Sequence, residues 1–144
     1  MAGLRDLQLG TGQTLPERLL SVRYARSGGP GGQNVNKVET KVDLRLDLAG
    51  ATEILGPDNL ARVQAKLATR LDADGHLQVV ASEHREQAQN LHAALERMEQ
   101  LLTQALHRPK ARKPTRPTRG SKERRLSDKK RRSDTKRNRS TPGE

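Results

Sequence analysis

Residues 40–48 alternate between polar and apolar side chains, and this pattern constrains the fold more than any other feature of the chain. The apolar positions are Val42, Leu44, Leu46 and Leu48, and the charged positions are Lys41, Asp43, Arg45 and Asp47. Because successive side chains of a strand point to opposite faces, the pattern predicts an antiparallel strand with one buried face. Residues 19–25 alternate in a similar way, with Leu20, Val22 and Tyr24 on one side, and predict a second strand.

Two helices and a third strand are predicted beyond these strands. Asp58 is expected to cap a helix in which Leu60, Val63, Leu67 and Leu71 recur at helical spacing. A turn at residues 72–75 leads into a short strand at residues 77–81. Ser82 is expected to cap a long helix that ends near Leu106 and carries a core-facing stripe of Leu91, Leu95, Met98, Leu102 and Ala105. We therefore predict an α+β fold, a small and mainly antiparallel sheet packed by helices on one face.

The composition excludes several functional classes. Aromatic residues make up 1% of the chain, and Tyr24 is the only one, so the core must be aliphatic and a base-stacking RNA module is unsupported. There is no cysteine, which excludes disulfides and thiolate metal sites. The four histidines occur at none of the familiar metal-ligand spacings, and no apolar run approaches the roughly 20 residues of a membrane span. We expect a cytoplasmic protein without metal or cofactor.

The net charge of +11 is concentrated at the C-terminal end. Residues 108–144 contain 16 Lys and Arg against 4 Asp and Glu, whereas residues 1–107 contain 12 against 13. A nearly neutral domain is thus followed by a polycation, which implies a polyphosphate partner. We predict a folded domain at residues 1–107, a Pro-rich basic linker at residues 108–120 and a basic tail at residues 121–144.

The linker and the tail differ in what they can fold into. Pro109, Pro114 and Pro117 interrupt any helix in the linker, whose 13 residues could span about 40 Å at roughly 3.1 Å per residue. The tail has helix-forming residues, but Leu126 is its only sizeable apolar side chain. Such a segment cannot bury enough surface to fold alone. We expect it to be disordered when free and helical against a phosphate-rich surface.

Between the first two strands lies a glycine-rich loop at residues 27–37. Its residues are Ser27, Gly28, Gly29, Pro30, Gly31, Gly32, Gln33, Asn34, Val35, Asn36 and Lys37. A phosphate-binding loop is one interpretation, but neither the P-loop nor the dinucleotide-binding glycine pattern is present. A mobile hairpin tip is the other interpretation that the loop alone allows.

The wider sequence resembles a known family. Gly31-Gly32-Gln33 followed by Asn-Val-Asn-Lys resembles the catalytic domain of class I peptide-chain release factors, and Arg85-x-Gln87-x-x-Asn90 resembles a second pattern of that family. The basic segment from Lys110 to Leu126 is similar to the tail of the ArfB-type alternative ribosome-rescue factors. The resemblance covers residues 19–139. It implies the release-factor GGQ fold and ribosome-dependent, codon-independent hydrolysis of peptidyl-tRNA that rescues ribosomes stalled on truncated mRNA.

The resemblance also assigns roles to individual residues. Gly31, Gly32 and Gln33 are expected to be catalytic, and Ser27, Gly28, Gly29, Pro30, Asn34, Val35 and Asn36 to support the loop. Contacts to the ribosome are expected from Arg112, Arg119, Lys122, Arg124, Arg125, Leu126, Lys129, Lys136 and Arg139. The implied partners are a 70S-type ribosome, at its peptidyl transferase centre and mRNA channel, its P-site peptidyl-tRNA and its rRNA. The protein would act as a monomer, away from membranes.

Three other functions compete with this one. A non-catalytic ribosome- or RNA-binding protein could use the same tail, but the intact Gly31-Gly32-Gln33 argues against it. A mitochondrial-type relative built into the large ribosomal subunit is disfavoured because no presequence is evident. A DNA-binding protein is disfavoured because the chain has few aromatic residues and no reading helix.

Overall fold

Three antiparallel strands form the central sheet of the computed structural model, which describes residues 3–28 and 38–141. They are β3 (Leu20–Ala25), β4 (Lys41–Leu46) and β5 (Leu77–Ala81), with β4 in the middle. Val22 pairs with Leu44, which pairs in turn with Val79. All three apolar side chains therefore share one face, and the alternation predicted for β3 and β4 is confirmed.

The helix α3 (Gln87–Leu106) covers this apolar face and contacts both β4 and β5. Its predicted stripe is buried, as the low exposure of Leu91, Leu95, Met98, Leu102 and Ala105 shows. The shorter helices α1 (Thr52–Leu55) and α2 (Pro57–Lys66) precede it in the chain, and α2 packs against α3. The predicted α+β fold with an aliphatic core is thus confirmed.

An N-terminal hairpin, for which the sequence predicted no element, completes the core. Its strands β1 (Leu7–Gln8) and β2 (Thr14–Leu15) pair antiparallel and bury Leu7 and Leu15 fully. The hairpin is tied to α3 by polar contacts: the Glu99 carboxylate accepts from the backbone N–H of Gln8 at 2.9 Å and pairs with Arg5.

The boundaries of α2 differ from the prediction at both ends. Asp58 lies inside the first turn and is not the cap, because Pro57 takes the first helical position and needs no hydrogen-bond acceptor for a backbone N–H. At the other end α2 stops at Lys66 and a single turn of 3-10 helix follows. Leu71, predicted to be helical, instead forms an antiparallel bridge with Leu77.

The start of α3 was also wrongly predicted. Ser82 does not cap it, because the helix begins five residues later, at Gln87. The chain between β5 and α3 is a non-helical turn whose backbone is held by the Asn90 side chain: the Asn90 Oδ1 accepts from the N–H of His84 at 2.8 Å. That contact satisfies the His84 backbone outside a helix.

The chain divides into two compact units, Met1–Arg108 and Pro109–Glu144. The second unit contains the helix α4 (Arg119–Ser140), in which no side chain is buried. Thr118 caps it by accepting from the N–H of Ser121 at 3.2 Å. The helix begins two residues before the predicted boundary between linker and tail. That the tail is disordered when free and helical against a phosphate-rich surface stays a prediction. Within residues 3–28 and 38–141, no helix has the length and apolar composition needed to cross a membrane.

Candidate active site

The glycine-rich loop leaves the sheet at one end, where β3 and β4 stop pairing. Their last paired residues are Ala25 and Lys41, and 15 residues separate these two in the sequence. Paired residues of adjacent strands lie about 5 Å apart, so this long segment leaves and rejoins the sheet at one point. Connections of this length between two short strands are uncommon in compact domains. The described parts of the loop are its two ends, residues 26–28 and residues 38–40.

The centre of the predicted site lies outside the described residues. These are the predicted catalytic residues Gly31, Gly32 and Gln33, and the predicted support residues Gly29, Pro30, Asn34, Val35 and Asn36. Of the other support residues, Ser27 is half-buried and Gly28 is exposed at the end of the loop that follows β3. The catalytic assignment therefore stays a prediction, and the structure describes the scaffold on which the loop stands.

Two amide side chains of α3 hold the end of the loop that enters β4. The Gln87 Nε2 donates to the backbone carbonyl of Glu39 at 2.8 Å, and the Asn90 Nδ2 donates to that of Thr40 at 2.7 Å. Residues three apart on a helix lie on the same side, so the two amides reach adjacent carbonyls of the segment that leads into β4. Sequence analysis identified both residues by resemblance but not this contact, for which the i, i+3 pair of amides was the available signal.

Asn90 also fixes the turn that faces the loop. Its side chain is fully buried, and besides Thr40 it bonds both the N–H of His84 at 2.8 Å and the carbonyl of His84 at 3.0 Å. The same turn is anchored by Arg97, which donates to the carbonyl of Val80 at 2.9 Å and forms an ion pair with Glu83. The hydrogen bond from Arg97 lowers the pKa of the Glu83 carboxyl group. One buried side chain thus joins the loop, the turn and α3.

An open cleft of about 570 Å³ lies between the loop ends and this turn. It is lined by Ser27, Val38, Thr40, Ser82, Glu83, His84 and Arg85. Among the described residues, no serine or threonine hydroxyl hydrogen-bonds to a histidine or carboxylate side chain, as an activated nucleophile would. What the described residues show is that the scaffold holds the end of the loop through Gln87 and Asn90.

A cluster of possible metal ligands lies elsewhere, at the turn before β5. Oxygen or nitrogen atoms of Asp72, Asp74 and His76 come within 4.8 Å of one another. However, Asp72 already accepts from the N–H groups of Asp74 and His76, both at 2.9 Å, and pairs with Arg45 at 2.9 Å. These hydrogen bonds and this ion pair stabilise the turn at residues 72–76, which explains why the three side chains lie close together.

The predicted ribosome contacts of the tail lie mostly on α4. Arg112 is in the exposed linker, and the helix carries Arg119, Lys122, Arg124, Arg125, Leu126, Lys129, Lys136 and Arg139, all exposed. Lys122, Arg125, Lys129, Arg132 and Lys136 recur at intervals of three and four residues and form one row, which we call the basic stripe. Arg124 falls outside the stripe, and Arg132, which sequence analysis did not select, belongs to it. RNA binding by these residues stays a prediction.

Comparisons with known proteins cover both units. Residues 10–142 match the RF-1 domain family. Peptidyl-tRNA hydrolase ArfB of Pseudomonas putida is 40% identical over 117 residues, which are 80% of this chain and 82% of that protein. Large ribosomal subunit protein mL62 of Mus musculus is 33% identical over 96 residues, which are 67% of this chain but only 46% of that protein. This chain therefore belongs to the RF-1 domain family.

Proposed function

We propose that this protein is a peptidyl-tRNA hydrolase that acts on the ribosome and releases the nascent peptide from stalled translation complexes. The observation that carries the proposal is the 40% identity to Peptidyl-tRNA hydrolase ArfB over 80% of the chain. The RF-1 domain match supports it, because it extends from the first hairpin through the tail. The partial match to a large-subunit protein supports association with ribosomes in general.

The proposed reaction is attack of water on the ester that joins the peptide to the tRNA. The amide of Gln33 is neither a usable base nor a nucleophile at neutral pH, so the loop acts by position. The backbone N–H of Gln33 donates to the oxyanion that forms on the ester carbonyl, and one such donor is typically worth about 2.7–4 kcal/mol. The Gln33 side chain lines the pocket and admits water in preference to larger nucleophiles. Gly31 and Gly32 bring no Cβ between this N–H and the ester.

The test of the loop assignment is Gly32→Ala. We expect peptide release from ribosomes with P-site peptidyl-tRNA to be abolished, because a misplacement of the N–H by about 1 Å can cost about a hundredfold. Co-sedimentation with ribosomes should be unchanged. Gly3→Ala is the matched control, since a Cβ on Gly3 meets no atom within 4 Å. Release by Gly32→Ala at the wild-type rate would contradict the assignment. A wild-type protein that binds ribosomes without releasing peptide would identify a non-catalytic ribosome-binding protein.

For the tail we propose that α4 enters the empty mRNA channel of the small subunit when the message is truncated. Residues of the basic stripe are spaced about 5 Å apart along the helix axis, so they can contact successive rRNA phosphates. An intact message would occupy the same space and exclude the helix. The protein would thus respond to the absence of mRNA in the channel and not to a codon.

The tail proposal predicts that release falls as mRNA is extended past the P site, and that deletion of the chain after Leu106 removes activity on stalled ribosomes. A finer test compares Lys129→Gln in the basic stripe with Lys130→Gln on another face of α4, because both remove one positive charge. We expect Lys129→Gln to weaken ribosome binding and to reduce the salt dependence of the binding constant by the equivalent of about one phosphate contact. Lys130→Gln should change both quantities much less. Equal effects of the two variants would instead indicate a diffuse polycation.

A further inference from the structure

Two side chains of α3 hydrogen-bond to the end of the loop that enters β4. Glu39 and Thr40 lie beyond the last pair of the β3–β4 ladder, Ala25 with Lys41. In the described part of the loop, the carbonyls of Glu39 and Thr40 make no backbone–backbone hydrogen bond. These carbonyls accept hydrogen bonds from the side chains of Gln87 and Asn90, respectively. The two side-chain amides therefore hydrogen-bond to the chain where the hydrogen bonds between β3 and β4 have ended.

The two amides differ in burial, and this separates their roles. Asn90 is fully buried and makes three hydrogen bonds, two of them to the His84 backbone, so its removal would disturb the fold itself. Gln87 is exposed at the first position of α3 and makes one recorded hydrogen bond, to a carbonyl 48 residues away. An exposed side chain with a single contact adds little to stability. The effect of its contact is therefore local, at Glu39.

We infer that Gln87 is a positioning residue for the catalytic loop. It acts by holding the Glu39 carbonyl, and with it the direction in which the chain returns from Gln33 to the sheet. Glu39 is six residues after Gln33 in the sequence, so the contact acts on the segment through which the catalytic loop rejoins the sheet. The inference rests on the proposed function. It adds a residue that touches neither the tRNA nor the ester and sets where the reacting N–H lies.

The experiment uses the full chain and two variants of similar shape, Gln87→Glu and Gln87→Met. Both remove the Nε2 donor, and Glu at the first turn of a helix also suits the helix dipole. The matched controls are Gln89→Glu and Gln89→Met, because Gln89 is exposed on the same turn and its side chain makes no hydrogen bond to the residues that the structure describes. Single-turnover peptide release is measured against protein concentration on stalled ribosomes, and thermal unfolding is followed in parallel.

We expect both Gln87 variants to lower the release rate at saturating protein by roughly tenfold or more, since small errors in position are costly in catalysis. The concentration for half-maximal rate and the unfolding midpoint should stay at wild-type values, because the contact affects neither ribosome binding nor the core. The Gln89 variants should behave as wild type. A saturated rate equal to wild type in the Gln87 variants, or an equal loss in the Gln89 variants, would overturn the inference. Absence of release by the wild-type protein would overturn the proposed function, and this inference with it.

Discussion

Replacing Asn90 by alanine would remove the side chain that joins the loop end, the turn before α3 and α3 itself. Three hydrogen bonds are lost: those from the Asn90 Nδ2 to the carbonyls of Thr40 and His84, at 2.7 and 3.0 Å, and that from the His84 N–H to the Asn90 Oδ1, at 2.8 Å. Since the side chain is fully buried, water does not simply take its place. The backbone groups of His84 and Thr40 lose these partners in a part-buried site.

The loss of unfolding free energy in Asn90→Ala follows from the number of hydrogen bonds that are removed. A neutral hydrogen bond contributes about 1 kcal/mol net, and a polar group left without a partner adds to the loss. Three bonds therefore correspond to about 2–4 kcal/mol of unfolding free energy. Because a domain of this size has typically about 5–15 kcal/mol in total, the variant should fold but with a clearly reduced margin.

Urea denaturation measures this change. Tyr24 fluorescence reports the sheet unit alone, because Tyr24 lies in β3 and is the only aromatic residue of the chain. With a slope of about 2 kcal/mol/M, in the middle of the usual range for urea, the midpoint should fall by roughly 1–2 M while the slope stays the same. Gln89→Ala, on the same turn of α3 but exposed, should stay within about 0.5 kcal/mol of wild type. If Asn90→Ala is as stable as Gln89→Ala, the argument from its three hydrogen bonds is refuted.

Two further predictions concern the turns of the folded unit. Gly56, between α1 and α2, has φ 84° and ψ 156°, a conformation essentially restricted to glycine. Gly56→Ala should therefore lower the unfolding free energy measured by urea denaturation by about 1–3 kcal/mol, although a Cβ at this position meets no atom within 4 Å. An unchanged denaturation midpoint would contradict the argument from backbone strain. The pKa of Asp72 is lowered by the backbone N–H of His76, then by that of Asp74 and by the charges of His76 and Arg45. A carboxyl whose pKa is depressed on folding stabilises the protein above its unfolded pKa, so Asp72→Asn should be less stable than wild type at neutral pH. The difference in unfolding free energy between wild type and Asp72→Asn should narrow as the pH falls below about 3.9, and it should vanish once the Asp72 carboxyl group of the folded protein is protonated. A difference that does not depend on pH would contradict the lowered pKa of Asp72.

The central strands could be predicted because their signal is local. In β4 each apolar residue is followed by a charged one, so the buried face is visible from the sequence without knowledge of the partner strands. The stripe of α3 is visible for the same reason, since residues three and four apart share a face. Helix starts were predicted less well: Asp58 and Ser82 are residue types that often cap helices, but neither caps one here.

The failure at Ser82 has a tertiary cause. The sequence favours a cap at Ser82 because serine accepts from a free helical N–H. In the structure the N–H of His84 instead donates to the side chain of Asn90, which is placed by the packing of α3 on β4. The competing hydrogen bond delays the helix until Gln87.

Some features of the candidate site could likewise be predicted from the sequence, and others could not. The Gly31-Gly32-Gln33 loop, the aliphatic core and the separation of a neutral domain from a basic tail were determined by the sequence itself, because each depends on residue types and their local spacing. The contacts that hold the loop end were decided only by the tertiary structure. They join Gln87 to Glu39 across 48 residues and Asn90 to Thr40 across 50, and such hydrogen bonds exist only once the sheet and α3 have packed together.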